Sequence, residues 1–281
     1  MLYDHLSDIV RLALAEDIGS GDLTTALTVY PSTSAQAEII AKEDLVVAGL
    51  EAARLTFELL DPAVTFDSIV AEGDRVAKGD ALVRIAGSAA SILTAERVAL
   101  NFLMHLSGVA TLTAFFVEAV KPHKARIVDT RKTTPGMRTL EKEAVRAGGG
   151  DNHRFGLFDG ILIKDNHIAA AGSITAAVTR AKDRAPHTLK IEVEVSDLPG
   201  LEEAIAAGAD VVLLDNMGTE ELAEAVRIGR GRVVLEASGG INLDNVAQVA
   251  ATGVDIISIG ALTHSAPAVD MSLIFTVGAV C

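Results

Sequence analysis

The sequence contains a single cysteine, Cys281, among 281 residues, and this scarcity excludes several kinds of site. One cysteine cannot form an intrachain disulfide, and it cannot supply a thiolate zinc site or a catalytic cysteine pair. The N-terminus mixes Asp4, Asp8 and Glu16 into its apolar residues, unlike a secretory signal. We therefore expect a cytoplasmic protein.

Basic residues are also scarce, because 24 Lys and Arg stand against 38 Asp and Glu, giving a formal net charge of −14. Such a charge disfavours nucleic acid, whose phosphates are held mainly by Lys and Arg. The late apolar run 271–281 is far shorter than the ~20 residues of a membrane span. The sequence predicts a soluble protein without nucleic-acid or membrane partners.

The first hundred or so residues mix helical and extended patterns. Residues 7–15 predict an amphipathic helix, "VTFDSIVAEGDRVAKGDALVRIAG" predicts short strands joined by tight turns, and residues 93 to about 120 predict a long helix. After that helix, apolar strands alternate with helices, which predicts a parallel sheet covered on both faces. The six strands are "ARIVDTRKT", "GILIKDN", "KIEVEVS", "DVVLLDN", "RVVLEASGG" and "VDIISIGAL".

Each of these strands ends in polar residues or glycine. In a parallel barrel such ends converge on one face, where barrel enzymes place their sites. A doubly wound sheet is the alternative, but the chain lacks the Gly-x-Gly-x-x-Gly opening of that design. Because six strands are fewer than the eight of a closed barrel, the sequence predicts an open, incomplete α/β barrel.

Cationic and imidazole side chains collect at the strand ends and in the loop "GGGDNHRFG". Guanidinium groups suit carboxylates, and ammonium groups suit phosphates. Ion pairing with the nearby Asp129, Asp151 and Asp165 is the alternative. The candidates are Arg131, Lys132, His153, Arg154 and Lys164.

Acidic residues and glycines complete the candidate site. Glu192 and Glu194 lie two apart on a strand and point the same way, while Asp215 ends the next strand. They could bind ribose hydroxyls, hold Mg²⁺ beside a substrate's phosphates, or only neutralise cations. "ASGGI" and "SIGAL" follow the last two strands, where barrels often bind phosphate. Together the residues predict a pocket for a phosphorylated sugar and a carboxylated partner.

Two other patterns have simpler interpretations. Arg138, Lys142 and Arg146 share a helix face, which we interpret as a solvated face. "EGDRVAKGD" is similar to the turns of lipoyl-type carriers, but Lys78 lies outside the hairpin tip, which favours a structural hairpin. Two competing functions stay open: a phosphosugar aldolase in which Lys164 forms a Schiff base, and a non-enzymatic binding module.

Several motifs together are highly specific for one family. "DTRKTTPGMRTLEKEAVRAGGGDNHRFGLFDGILIKDNHI", "IEVEV", "LLDN", "LEASGGI" and "GVDIISIGALTHS" resemble the quinolinate phosphoribosyltransferases. "EDIGSGDLTT" and "TAERVALNFLMHLSGVAT" extend the resemblance over nearly the whole chain. One departure is Glu143, where the family pattern has an aromatic residue. A paralogous group linked to molybdenum transport shares much of the pattern but lacks the "IKDNH" form.

The resemblance implies an α/β fold with a sandwich-like N-terminal α/β domain over residues 1–107 and the open parallel barrel over residues 108–270. Packing of the tail 271–281 against the N-terminal domain is one option. The implied activity makes nicotinate mononucleotide, CO₂ and pyrophosphate from quinolinate and phosphoribosyl pyrophosphate in NAD biosynthesis, with Mg²⁺. The implied assembly is a homodimer with shared active sites, and a hexamer stays open.

The resemblance also implies residue roles, which we group by ligand. Quinolinate is expected to bind Arg131, His153, Arg154 and Lys164, together with Arg97 of the partner subunit. Phosphoribosyl pyrophosphate and its metal are expected at Lys132, Glu194 and Asp215, and the 5′-phosphate at Ser238, Gly239, Gly240 and Gly260. The expected catalytic residues are Lys132, Lys164, Glu194 and Asp215. We expect no general base, since this chemistry mainly requires positioning and fixed charges.

Overall fold

The computed structural model describes residues 2–277, which form two compact units. The first unit contains residues 2–112, 134–149 and 266–277, and the second contains residues 113–133 and 150–265. The helices are α1 (Leu2–Ile18), α2 (Leu23–Thr28), α3 (Leu50–Leu60), α4 (Ala89–Val120), α5 (Arg138–Ala147), α6 (Asp165–Ala171), α7 (Ile174–Arg184), α8 (Leu198–Ala207), α9 (Thr219–Gly229), α10 (Val246–Ala251) and α11 (Ala261–His264). The strands are β1 (Ser34–Ala41), β2 (Leu45–Val46), β3 (Thr65–Ser68), β4 (Arg75–Val76), β5 (Ala81–Ser88), β6 (Arg126–Val128), β7 (Ile161–Ile163), β8 (Ile191–Val195), β9 (Val211–Asp215), β10 (Val234–Ser238), β11 (Ile256–Ser258) and β12 (Met271–Val277).

The first unit is built on an antiparallel sheet with the strand order β12-β1-β5-β3. Buried positions alternate along β1, so Ala37 and Ile39 share the face that packs on the core. Phe57 of α3 and Leu103 of α4 pack into the same core. Burying a side chain as large as Phe57 stabilises the fold by about 2 kcal/mol. Residues 271–277 of the tail form the edge strand β12, and residues 278–281 lie outside the described part of the chain.

Two similar turns in this unit account for the repeated "AEGD" and "AKGD". In each, an aspartate accepts the N–H of the residue three positions earlier, at 2.8 Å for Asp74 and 2.9 Å for Asp80. The preceding glycines adopt left-handed φ angles of 87° at Gly73 and 97° at Gly79. The predicted short strands and tight turns are therefore confirmed.

Helix α4 is 32 residues long, and by length and composition alone it is apolar enough to cross a membrane. However, 61% of its most apolar window is buried within the protein. Ile92, Leu100, Leu103 and Leu106 are almost completely buried along it. An apolar helix that is buried in this way is typical of a protein core. The predicted helix is confirmed and begins at Ala89, four residues before the predicted start.

The solvated face predicted for α5 is wrong. Glu141 is completely buried and Lys142 is only 4% exposed. The Glu141 carboxylate lies 2.9 Å from His105 Nε2 and accepts the Thr134 N–H at 3.1 Å. These partners come from distant parts of the sequence, so the spacing of charges along the helix could not reveal them. Glu143, the departure from the family pattern, is exposed.

Six parallel strands form the sheet of the second unit, in the order β6-β11-β10-β9-β8-β7. The first strand pairs with the last, and within the described residues the ladder between β6 and β7 is open, which confirms the predicted incomplete barrel. On this open side Asp151 bridges to β6 and donates its N–H to Ile127 O at 2.8 Å. Since all six strands are parallel, their carboxyl ends lie at one side.

Candidate active site

One cavity of about 600 Å³ lies at the carboxyl ends of the strands of the second unit. All six strands of the sheet contribute side chains to it, either from their last residues or from the residues that follow them. The cavity brings together ten residues that the sequence predicts for the site: Arg131, Lys132, His153, Arg154, Lys164, Glu194, Asp215, Ser238, Gly239 and Gly240.

Three titratable side chains lie close together and largely buried here: His153, Glu192 and Glu236, which we call the acid cluster. Their side chains are 14%, 11% and 3% exposed. His153 Nε2 lies 3.2 Å from Glu192 Oε2 and 3.7 Å from Glu236 Oε1. The pKa of Glu236 is raised to about 7, first by burial and then by the charge of Glu192, while His153 opposes the shift. Glu236 is therefore a carboxyl that retains a proton near neutral pH.

The contacts of His153 fix its orientation and its ring proton. Its Nδ1 accepts the Arg154 N–H at 2.7 Å, so in the neutral ring the proton lies on Nε2, facing Glu192. The His153 N–H donates to Asp129 at 2.9 Å, and the Asn152 side chain donates to the same carboxylate at 2.6 Å. Asp129 is completely buried. Hydrogen bonds to the buried Asp129 therefore fix the loop that carries His153 and Arg154.

Arg154 and Arg131 bring two guanidinium groups to the same cavity. Arg154 Nη1 donates to Gly160 O at 2.9 Å, and this hydrogen bond orients the guanidinium group. Burial lowers the pKa of Arg154 and the charge of Arg131 lowers it further, while Glu192 and Asp159 oppose the shift. Two like charges in a half-buried cavity favour an anionic ligand that lies between them.

A second set, Lys132, Lys164, Glu194 and Asp215, is less buried, and we call it the rim group. Lys164 Nζ pairs with Glu194 Oε2 at 2.6 Å. Glu194 and Glu192 are both turned toward the cavity side of β8, as the two-residue spacing predicts. Asp215 accepts the Asn216 side-chain N–H at 2.9 Å.

The turn after β10 requires glycine. Gly239 has a φ of 92°, and a Cβ there would lie 2.2 Å from Asn216 Oδ1. Asn216 itself has a φ of 57° and donates its N–H to Ser238 O at 2.8 Å. Gly240 is also left-handed, with a φ of 62° and open space around its Cα. Successive backbone turns of this kind are typical of anion-binding loops.

Not all predicted residues line the cavity. A Cβ on Gly260 would lie 3.0 Å from Lys132 Cδ, so this glycine leaves room for the lysine. Arg97 is an exposed residue of α4 in the first unit, where its charge acts on the neighbouring Glu96. Of the aspartates expected to neutralise the cations, Asp151 instead pairs with Arg126 at 3.2 Å.

The sequence predicts no site role for Glu236 or Asn216, and for Asp129 it predicts only possible ion pairing with the nearby cations. For Glu236 a signal was available, because it precedes Ser238 by two residues on β10 and so shares its face. Asp129 supports residues 152 and 153 through hydrogen bonds, and Asn216 has a left-handed backbone beside Ser238. Both features depend on tertiary contacts, so the sequence does not reveal them.

Mg²⁺ prefers oxygen ligands and keeps several of its waters. Glu194 and Asp215 supply carboxylate oxygens on the neighbouring strands β8 and β9. Both carboxylates already accept a hydrogen bond, from Lys164 and Asn216 respectively. The residues therefore fit an ion that is held mainly through water and substrate phosphates.

These features define the class of protein: an open parallel α/β barrel whose strand ends bring guanidinium groups, lysines, carboxylates and a glycine turn together in one cavity. Comparison with known proteins identifies the family. Residues 22–107 match the N-terminal domain of quinolinate phosphoribosyl transferase, and residues 109–274 match its C-terminal domain. The chain belongs to this family.

Individual relatives agree along almost the full length. The nicotinate-nucleotide pyrophosphorylase [carboxylating] of Mycobacterium leprae is 43% identical over 96% of this chain and 97% of its own. A quinolinate phosphoribosyltransferase [decarboxylating] of Nicotiana tabacum is 41% identical over 96% of this chain and 82% of its own. The solved nicotinate-nucleotide pyrophosphorylase of Francisella tularensis superposes with a TM-score of 0.93 at 42% identity, covering 97% and 96% of the two chains. The comparisons support neither the molybdenum-transport paralogue nor the aldolase.

Proposed function

We propose that this protein transfers the phosphoribosyl group of phosphoribosyl pyrophosphate to quinolinate and releases CO₂ and pyrophosphate. The product is nicotinate mononucleotide, a precursor in NAD biosynthesis. The observation that carries the proposal is one cavity that joins the guanidinium pair of Arg131 and Arg154 to the glycine turn after β10. Membership of the quinolinate phosphoribosyl transferase family supports it.

Quinolinate carries two carboxylates on adjacent ring carbons, one of them next to the ring nitrogen, and the cavity offers matching cations. Arg131, Arg154 and Lys164 would bind these carboxylates, and His153 would contact the ring side of the ligand. A guanidinium can donate two parallel hydrogen bonds to one carboxylate, which fixes the ring as well as holding it. The ring nitrogen is then oriented toward the sugar.

Phosphoribosyl pyrophosphate would occupy the opposite part of the cavity. Lys132, Glu194 and Asp215 would bind its diphosphate and ribose, and Ser238 with Gly239 and Gly240 would bind its 5′-phosphate. Gly260 leaves space for Lys132. Bound Mg²⁺ would neutralise the diphosphate as it leaves, and Glu194 and Asp215 would hold the ion.

The chemistry requires placement and fixed charge rather than a general base. The ring nitrogen displaces pyrophosphate from C1 of the ribose through a cationic sugar, and the carboxylates of the rim group would lie on the side where that charge develops. Holding both substrates in one geometry supplies much of the rate acceleration. Lys164 is ion-paired with Glu194 at 2.6 Å, whereas an aldolase lysine must attack as a free amine.

We also propose a cytoplasmic homodimer in which Arg97 of the partner subunit completes the quinolinate site. Its motivation is the exposure of Arg97 on α4 and its absence from the cavity lining among the described residues. A C2 dimer would place the same arginine in both sites.

The direct test is release of CO₂ from quinolinate labelled in its carboxyl carbon at the position next to the ring nitrogen. We expect labelled CO₂ in equal amount to pyrophosphate, and only when phosphoribosyl pyrophosphate and Mg²⁺ are present. Release without phosphoribosyl pyrophosphate, or no release at all from folded protein, would contradict the proposed function.

A further inference from the structure

Glu236 has no place in the binding of either substrate as described above, yet it lines the cavity. It is 2% exposed, and neither its Oε1 nor Glu192 Oε1 has a hydrogen-bond partner among the described residues. Leaving a buried carboxyl oxygen without a partner is unfavourable, because the oxygen has lost its hydration. A group held at that cost inside a reaction cavity is a candidate for a chemical role.

The contacts of the acid cluster decide which carboxyl holds a proton. Three titratable groups interact here: Glu236 on β10, Glu192 on β8 and His153 on the loop after α5. The Nε2–H of His153 lies at hydrogen-bonding distance from Glu192, at 3.2 Å, but 3.7 Å from Glu236. His153 therefore lies closer to Glu192 than to Glu236, and Glu236 is the group on which a proton is retained. The raised pKa of Glu236, which burial causes first, agrees with this arrangement.

A neutral Glu236 also fits the ligand. An ionised carboxylate on the cavity lining would repel the two carboxylates of quinolinate, whereas a carboxylic acid does not. The loss of CO₂ then creates a need for a proton at the place where one is stored.

We propose that Glu236 is the acid that delivers a proton to the ring carbon from which CO₂ departs, an inference that rests on the proposed function. The bond between the ring carbon and its carboxylate breaks, CO₂ leaves, and the electron pair stays on the ring carbon next to the ribosylated nitrogen. A new C–H bond forms with the proton of Glu236, which becomes a carboxylate. Solvent returns the proton after the product leaves.

The same geometry would also suit a metal ion, since the donor atoms of the acid cluster lie within 4.8 Å of one another. A bound ion would take the place of the shared proton. A stored proton and a bound ion can be distinguished by measuring the metal content of the purified protein, which is therefore one part of the test.

The test is a single-turnover rapid-quench experiment in which pyrophosphate and CO₂ are measured separately. In the Glu236→Gln variant we expect pyrophosphate to form within about threefold of the wild-type rate and CO₂ to form at least tenfold more slowly, since general acids contribute roughly 10²–10⁴-fold. Glu236→Asp should recover part of the CO₂ rate because it restores an acid. Glu141→Gln, which removes another completely buried carboxylate, is the matched control and should not separate the two rates.

The wild-type enzyme provides a second measurement that needs no variant. Its CO₂ step should slow as the pH rises above about 7, the pKa of Glu236, while pyrophosphate formation does not follow the same curve. The proposal is overturned if pyrophosphate and CO₂ formation slow together in Glu236→Gln, if neither changes, or if the wild type contains a stoichiometric metal that Glu236→Gln loses. Wild-type protein that forms no pyrophosphate from quinolinate would instead overturn the proposed function.

Discussion

The acid cluster and the rim group lie in one cavity but hold their charges in different ways. Glu192 and Glu236 are buried beside His153, so the charge of this region is set by a shared proton. Lys164 and Glu194 are more exposed and neutralise each other as an ion pair at 2.6 Å. The charge of the acid cluster therefore depends on protonation, whereas the charge of the rim group depends on an ion pair that a ligand can replace. This difference fits the proposal that quinolinate binds at one end of the cavity and the diphosphate at the other.

The largest effect should follow from removing a guanidinium next to the acid cluster. We expect Arg154→Ala to lower kcat/KM for quinolinate by roughly thirtyfold or more, about 2 kcal/mol, because a charge-assisted hydrogen bond is lost. Arg154→Lys should lower kcat/KM by a smaller factor, because lysine keeps the charge but cannot donate two parallel hydrogen bonds to one carboxylate. Steady-state kinetics measure both variants. Unchanged kinetics in Arg154→Ala would remove the carboxylate site from this end of the cavity.

A loss of similar size is expected from Arg97→Ala, because this residue acts across the proposed dimer. Mixing Arg97→Ala with Arg154→Ala would then give mixed dimers with one wild-type site, which restore up to about half of the wild-type activity. Activity of the mixture after proven subunit exchange is the measurement. A mixture that is no more active than the separate variants would show that Arg97 serves its own chain, for example beside Glu96.

Substitutions in the rim group should have intermediate effects and change the other substrate. Glu194→Gln and Asp215→Asn are expected to impair use of phosphoribosyl pyrophosphate by roughly tenfold, because each removes a carboxylate near the diphosphate and metal. The readout is the KM of each substrate and the Mg²⁺ dependence of the rate. A selective rise in the KM of quinolinate would mean that the two ends of the cavity have been assigned in reverse.

The smallest effect concerns stability and separates the two regions by their response to pH. Because the pKa of Glu236 is raised to about 7 in the folded protein, the native state holds a proton that the unfolded state has lost, and stability falls as the pH rises toward 7. Glu236→Gln removes this loss. We expect similar Tm values at pH 5 and a Tm for Glu236→Gln that is higher by about 3 °C or more at pH 8. Equal differences at both pH values would contradict a protonated Glu236.

The two regions also differ in how far the sequence predicts them. Strand periodicity and strand ends are local signals, so the six strands and the clustering of Lys164, Glu194 and Asp215 could be predicted. The partnership of Glu192 with Glu236 could not, because it depends on the register of β8, β9 and β10. The contact of Glu141 with His105 could not be predicted either, because it joins two helices whose contacting residues lie 36 positions apart in the sequence.

The central claim is that the end of the cavity next to the acid cluster takes quinolinate, while Lys132, Glu194 and Asp215 take phosphoribosyl pyrophosphate. Titration calorimetry of quinolinate into the wild type, Arg154→Ala and Asp215→Asn tests this division directly. The account predicts that quinolinate affinity falls at least thirtyfold in Arg154→Ala and stays within about threefold of the wild type in Asp215→Asn. Loss of quinolinate affinity in Asp215→Asn with normal affinity in Arg154→Ala would contradict it.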